Sequence, residues 1–300
     1  MKKTLLISFA VIIVTLSSFV LWVWFQIPTE QQIRGCIVTT MYKVALCPGS
    51  KDYVPLSRIS PYIQKAIVLS EDALFWQHKG FDWDQLEKSA ERNWEKGAYL
   101  RGGSTITQQL AKNMFLSKEK SLMRKGLEAL ITLRLEETLS KKEILERYLN
   151  VVEFGRNIFG VKAASQHYFN KTPAELDPVE SAFLAMLLPN PVKYSSSHQQ
   201  KNLTDFGRKR VSKILTDMMK TGKMSNEEFA AAVERMEHFL DPEAAAAAQE
   251  LLQEARAAEE DPFESPNQLV PDAPNGDVHA QPADEEDQGD VGESLPGETD

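Results

Sequence analysis

Three hundred residues, 42% apolar and 26% charged, are ordinary for a globular chain and allow one large domain or two small ones. The net charge of −9 does not describe the whole chain, because residues 259–300 hold fourteen Asp and Glu and no Lys or Arg, which leaves +5 for residues 1–258. A mildly basic body suits anionic lipids or a diphosphate substrate, no nucleic-acid partner is expected, and two cysteines without a second Cys or His pair at ligand spacing argue against zinc.

Residues 1–4 form a short stub carrying Lys2 and Lys3. Residues 5–27 are uncharged and overwhelmingly apolar, long enough as a helix to span roughly 34 Å, with Trp22, Trp24 and Phe25 as an interfacial belt at the far end. A cleaved signal peptide is the competing reading, but the run exceeds a usual h-region and no small-x-small site follows. Read as an uncleaved anchor, it leaves the N-terminus in the cytoplasm and the remainder outside. Residues 28–54 read as a linker with a strand signal over Cys36–Val44. Cys36 and Cys47 lie where a disulfide persists, although spacing alone does not pair them.

From residue 55 to 240 the chain reads as helix after helix, so the class is mainly α. Ser60-Pro61 opens a helix that runs to Glu71; Asp82 caps the next, which ends at Gly97; Ser104 caps a third. Ser121 caps a long helix through Leu122, Leu127, Leu130, Ile131 and Leu135, and Ser140/Glu143 and Ser225/Glu228 form capping boxes. Asp177-Pro178 opens the apolar helix Ser181–Leu188, which stops at Pro189-Asn190-Pro191. Residues 241–258 read as a helical spacer, and 259–300 as a disordered acidic tail with too little apolar surface to offset chain entropy.

Helical spacing sorts the polar residues into faces. Gln108 and Lys112 share one face, Gln109 and Asn113 the neighbouring one, and Arg124 and Glu128 are four apart with Lys125 alongside. Taken alone, Arg124–Glu128 is an ordinary surface pair worth under about 1 kcal/mol. Beside Lys112 and the helix-end carboxylate Glu71, it becomes part of an inventory of two carboxylates and several cations. That inventory matches attack by a sugar hydroxyl on a glycosyl diphosphate. The hydroxyl needs a base, and the departing diphosphate needs cations.

Two strings resemble the first two signature motifs of the peptidoglycan glycosyltransferases, glycosyltransferase family 51. They are Glu71-Asp72-Ala73-Leu74-Phe75-Trp76-Gln77-His78-Lys79-Gly80 and Gly102-Gly103-Ser104-Thr105-Ile106-Thr107-Gln108-Gln109-Leu110-Ala111-Lys112-Asn113. Arg124-Lys125-Gly126-Leu127-Glu128 is similar to the third. Residues 140–150, continuing through Phe154-Gly155 and Gly160-Val161, are similar to the fourth, and residues 182–191 to the fifth. Five motifs in order over residues 55–236, behind a single anchor, resemble the monofunctional biosynthetic transglycosylases.

The resemblance implies a lysozyme-like helical head lobe with a small membrane-proximal jaw, and inverting polymerisation of lipid II into linear glycan strands. It implies that Glu71 is the general base toward the 4-hydroxyl of the acceptor, and that Glu128 assists at the donor diphosphate. Phe75, His78, Ser104, Gln108, Gln109, Lys112, Arg124 and Lys125 are the implied substrate-binding set, with Phe75 and His78 shaping the Glu71 site rather than reacting. Met114, Phe115, Leu116, Leu122 and Met123 are the implied lipid contacts of the jaw, with ordinary core as the alternative. A divalent cation, Mg²⁺ or Mn²⁺, near Glu128 is allowed without a defined ligand set, and no organic cofactor is implied. The implied partners are lipid II, the growing glycan chain, the membrane and other cell-wall synthesis proteins. The implied location is the bacterial inner membrane with the catalytic domain in the periplasm.

Two other functions compete with this one. A lysozyme-like hydrolase would use one raised-pKa glutamate as acid, but it has no diphosphate to neutralise. An assembly factor with a degenerate site would not need the motif carboxylates and cations. Ser117-Lys118-Glu119-Lys120 and Lys220-Thr221-Gly222 match transpeptidase motifs by chance, since the Ser-x-Asn between them is missing and the second match closes a helix. No transpeptidase activity is expected.

Overall fold

The computed structural model describes residues 2–96 and 103–241, together with 243, 244, 246–248, 250, 251 and 253. Gly97, Gly102, part of the spacer and the whole tail 259–300 lie outside the described residues.

Helices dominate, with few strands, as the cap pattern predicts. Helix α1 (Lys2–Gln26) is apolar on every side, and its 18-residue apolar window has none of its surface buried in the protein. A helix apolar all round needs a core or a lipid phase, which is consistent with membrane anchoring. Helix α2 (Glu30–Arg34) starts at a Thr29/Gln32 capping box and buries Ile33. A disulfide joins Cys36 and Cys47 and closes a hairpin of β1 (Ile37–Val38) and β2 (Ala45–Leu46). The strand signal over Cys36–Val44, in a linker with possible short strands, is two short strands around a turn, the second at Ala45–Leu46 just beyond that range. Lys43 takes a positive φ of 58°, and Thr39 Oγ1 accepts from Val44 N at 2.9 Å, which reverses the chain.

The stretch read as a linker is clasped to the body. Arg34 pairs with Glu143 at 3.0 Å, and Thr40 N donates to the Met114 carbonyl at 2.9 Å. Glu146 accepts from Tyr53 Oη and from Leu56 N, at 2.5 and 2.8 Å. Asn150 pairs with both backbone groups of Val54 at 2.8 and 2.9 Å. The polar residues of the fourth motif thus hold the incoming chain.

A 3₁₀ turn at Leu56–Arg58 leads into α3 (Pro61–Glu71), capped by Ser60 as expected, and α4 (Trp83–Lys96) follows with Asp82 Oδ1 accepting from Gln85 N. Next come α5 (Ile106–Phe115), α6 (Leu122–Thr138) and α7 (Lys141–Val151). A second hairpin, β3 (Glu153–Gly155) with β4 (Ile158–Phe159), precedes α8 (Gly160–Phe169). This hairpin was not expected; it turns through Asn157 at φ 60°. After a 3₁₀ turn at Pro173–Glu175 come α9 (Pro178–Leu187), α10 (Pro191–Tyr194), α11 (Ser196–Gln199), α12 (Asp205–Lys220) and α13 (Asn226–Arg235). Gly222, at φ 66°, lies just past the end of α12, so Lys220-Thr221-Gly222 closes a helix as expected.

Helix α9 is the axis of the core, because every residue from Val179 to Leu187 is buried. Helices α3, α12 and α13 pack on it, while α5 packs on α6 and α7. The buried Glu180 is neutralised by Lys171 and Arg235, each at 2.7 Å, which compensates the cost of taking a carboxylate out of water. This packing fixes the C-terminal end of α3 beside α5, α7 and α12.

Candidate active site

Glu71 and Asp72 are adjacent in sequence but face different surroundings, because α3 ends between them. Asp72 turns inward and is 2% exposed. Its Oδ2 accepts from Ile106 N, the first amide of α5, at 2.9 Å, and its Oδ1 lies 2.8 Å from His78 Nε2. A carboxylate at a helix N-terminus is stabilised by the unpaired amides there, so Asp72 ties the end of α3 to the start of α5. Gly80 completes this corner. Thr105 Oγ1 donates to its carbonyl at 2.7 Å, and at φ 89° a Cβ would sit 2.8 Å from Thr132 Cγ2.

Glu71 is half-buried and accepts from Gln109 Nε2 at 3.0 Å. The other end of that amide, Oε1, accepts from Tyr148 Oη at 2.9 Å. Burial pushes the Glu71 carboxyl above the ordinary value of 4.5, and the adjacent Asp72 adds to this. The Gln109 hydrogen bond and the charges of Arg210 and Lys112 oppose it. A raised pKa makes the ionised carboxylate a stronger proton acceptor. Beside it, a cavity of about 180 Å³ lies between Leu69 and Ser70 at the end of α3 and Arg210 and Lys213 on α12.

A second cluster is local to α6. Glu128 is 3% exposed overall, and its oxygens are taken by Arg124 Nη1 at 3.3 Å and by Lys125 Nζ. Arg124–Glu128 is not the ordinary surface pair it would be in isolation, because the carboxylate is buried while Arg124 and Lys125 keep some exposure.

The structure redistributes several of the expected positions. Thr105, not Ser104, caps α5, and Gln108 closes the capping box back onto it. Gln108 is thereby 3% exposed and committed to the cap, not to a cleft; Asn113 is buried too. Ser104 is exposed, with its carbonyl 3.5 Å from Gln109 Nε2. Phe75 is wholly buried beneath the Lys141 ammonium, 4.6 Å from its ring centroid, so it shapes the site from below. Among the jaw residues, Met114 and Leu116 are core and Phe115 is partly buried, whereas Leu122 and Met123 are exposed. The first pair points inward because the end of α5 docks on the disulfide hairpin.

Asp72, Tyr148 and Arg210 were not singled out from sequence. Adjacency to Glu71 was a usable signal for Asp72. Tyr148, 77 positions from Glu71, lies within the fourth motif string but carried no assigned role, and Arg210, 139 positions away, had no signal.

A family model described as "Transglycosylase" matches residues 39–219. The chain is 44% identical over 190 residues to the biosynthetic peptidoglycan transglycosylase of Dechloromonas aromatica, covering 63% of this chain and 80% of that one. It is 40% identical over 226 residues to the protein of the same description from Pasteurella multocida, covering 71% and 92%. Against a solved penicillin-binding protein 1A from Haemophilus influenzae it is 29% identical, covering 43% of this chain and 15% of that one at a TM-score of 0.27, too low to bear on the fold.

Proposed function

The chain belongs to the transglycosylase family and is a glycosyltransferase of peptidoglycan synthesis, and we propose that it polymerises lipid II into linear glycan strands without transpeptidation. The observation that carries this reading is Glu71: a half-buried carboxyl with a raised pKa, held by an amide at a helix end and flanked by the charges of Lys112 and Arg210. In this reading Glu71 removes the proton from the acceptor 4-hydroxyl as that oxygen attacks the donor's anomeric carbon. Attack on the face opposite the diphosphate inverts the centre. Lys112, Arg124 and Lys125 stabilise the charge that accumulates on the departing diphosphate, and Glu128 orients the two α6 cations. Ser104 and Gln109 border the base, His78 fixes Asp72, and Leu122 and Met123 face the lipid.

Glu128 does not make a metal site on its own. Both its oxygens carry cations, and among the described residues no three His, Cys, Asp or Glu cluster at ligand distance. A divalent ion enters the proposal only as a counter-ion of the diphosphate, and no step depends on a protein ligand for it.

The apolar α1 supports a single-pass anchor with Lys2 and Lys3 on the cytoplasmic side and the catalytic body in the periplasm, where the Cys36–Cys47 disulfide is at home. Association with other cell-wall synthesis proteins follows from the absence of crosslinking activity in this reading. The test is lipid II polymerisation by detergent-solubilised protein with Mg²⁺, alongside Glu71→Gln. Long strands from the native protein and none from the variant are expected. Fragments released from finished glycan would instead favour hydrolysis.

A further inference from the structure

We propose that Tyr148 is a positioning residue of the active site: its buried hydroxyl fixes the Gln109 side chain so that the amide NH₂ faces the Glu71 carboxylate. A glutamine amide has two ends of nearly the same shape and opposite hydrogen-bonding character. Turned one way, Gln109 donates to Glu71; turned the other, it presents a carbonyl oxygen to a carboxylate.

The surroundings admit one arrangement. Tyr148 Oη donates to Gln109 Oε1 at 2.9 Å, and Gln109 Nε2 donates to Glu71 Oε2 at 3.0 Å, with the Ser104 carbonyl as a second acceptor at 3.5 Å. Tyr148 is 0% exposed, so neither water nor another orientation replaces its bond cheaply. Burial, with Glu71 and Asp72 nearby, holds the phenol well above its usual range, so it remains a proton donor throughout working pH.

The groups acting on Glu71 are Gln109 and Lys112 from α5, Arg210 from α12, and Asp72 at the end of its own helix. Gln109 is the neutral donor of this set, and among the described residues Tyr148, from α7, is the donor to its Oε1, with the Ser104 carbonyl as a further acceptor of its NH₂. The hydroxyl therefore acts on the base through one intervening side chain and does not touch substrate. Without it, Gln109 Oε1 is left unpaired, the amide is held from the Glu71 side alone, its donation to Glu71 loosens, and burial raises the protonation midpoint further.

This inference rests on Glu71 being the base, and two measurements on the full-length protein in detergent test it. The first is the pH–rate profile of lipid II polymerisation for native protein, Tyr148→Phe, Gln109→Met and the double variant. The second is a ¹³C NMR titration of the Glu71 carboxyl, identified by its disappearance in Glu71→Gln. Tyr148→Phe removes one oxygen and leaves the ring packed. It is expected to move the acid limb and the carboxyl midpoint up by about half a unit to one unit, with the lipid II dependence unchanged. The double variant is expected to match Gln109→Met, because Tyr148 acts only through the amide.

A Tyr148→Phe profile superimposed on the native one would overturn the proposal, as would shifts that add in the double variant. Failure of Tyr148→Phe to fold would also overturn it, since the hydroxyl would then serve packing. If native protein makes no strands, the activity reading fails, and the carboxyl titration still decides the positioning role.

Discussion

Glu71 takes its hydrogen bond from a residue 38 positions away, whereas Glu128 is held by residues three and four positions earlier on its own helix. At Glu71 burial prevails, because a neutral amide and distant cations only partly offset the desolvation of the carboxylate. At Glu128 two cations sit directly on the carboxylate oxygens. One carboxyl has its pKa raised by burial, which suits a base that must accept a proton during reaction. The other is tied to cations, which suits a scaffold for arginine and lysine at a growing negative charge. The same side chain acquires two roles from two environments, one assembled from four helices and one from a single helical turn.

The largest effect expected comes from removing the base. Glu71→Gln should lower strand synthesis by about 10²- to 10⁴-fold, the usual contribution of a positioned base, with lipid II binding retained. Because the native carboxyl has a raised pKa, the folded state holds its proton to higher pH than the unfolded chain does. Native stability therefore declines as pH rises from 4.5 through the folded value. The Gln variant lacks that decline. Urea unfolding should find it at least as stable as native protein at neutral pH, with the difference gone below pH 4.5; a less stable variant at neutral pH would contradict the burial argument.

Asp72→Ala removes the tie between α3 and α5, leaves Ile106 N without its acceptor, and should cost about 3 kcal/mol in denaturant unfolding. It tests whether the Glu71 environment depends on long-range assembly; a change under about 0.5 kcal/mol would mean that α5 holds its place without it.

Arg124→Ala probes the local cluster. It should raise the lipid II concentration needed for half-maximal rate by roughly 10- to 100-fold, the range for losing a charge-assisted contact, while leaving the acid limb set by Glu71 in place. A displaced acid limb would show that the two carboxyls are coupled, and would break the comparison.

Thr105→Ala is the mildest change. Loss of the α5 cap should cost about 1 kcal/mol, with a small loss of rate as the first turn that carries Gln109 loosens. A rate loss as large as that of Arg124→Ala would place the cap within the site itself.

Much of this protein was readable because its local rules are strong. The caps Ser60, Asp82, Ser121, Ser140, Asp177 and Ser225 all accept the backbone bonds expected of them, as each acts within a few residues of itself. The apolar run became α1, and the Arg124–Lys125–Glu128 spacing became a real cluster, since one helical turn brings i, i+3 and i+4 together. The limits were also physical. Ser104 and Thr105 are both good caps one residue apart, and it is Thr105 that takes the role, with Gln108 closing the capping box. The hydrogen-bonding residues Ser104, Thr105, Thr107, Gln108 and Gln109 lie close together in sequence and carry no local mark of which of them is buried.

Sequence by itself therefore determined the helical class, most of the helix caps, the apolar α1 and the family. Tertiary structure decided which polar residues gather around Glu71: Gln109 and not Gln108, Tyr148 from α7, Arg210 from α12, and Asp72 turned inward. Helix formation and capping are settled within about four residues. Burial of a carboxyl and the direction of an amide depend on what packing brings from 38 to 139 positions away, and no local pattern encodes that.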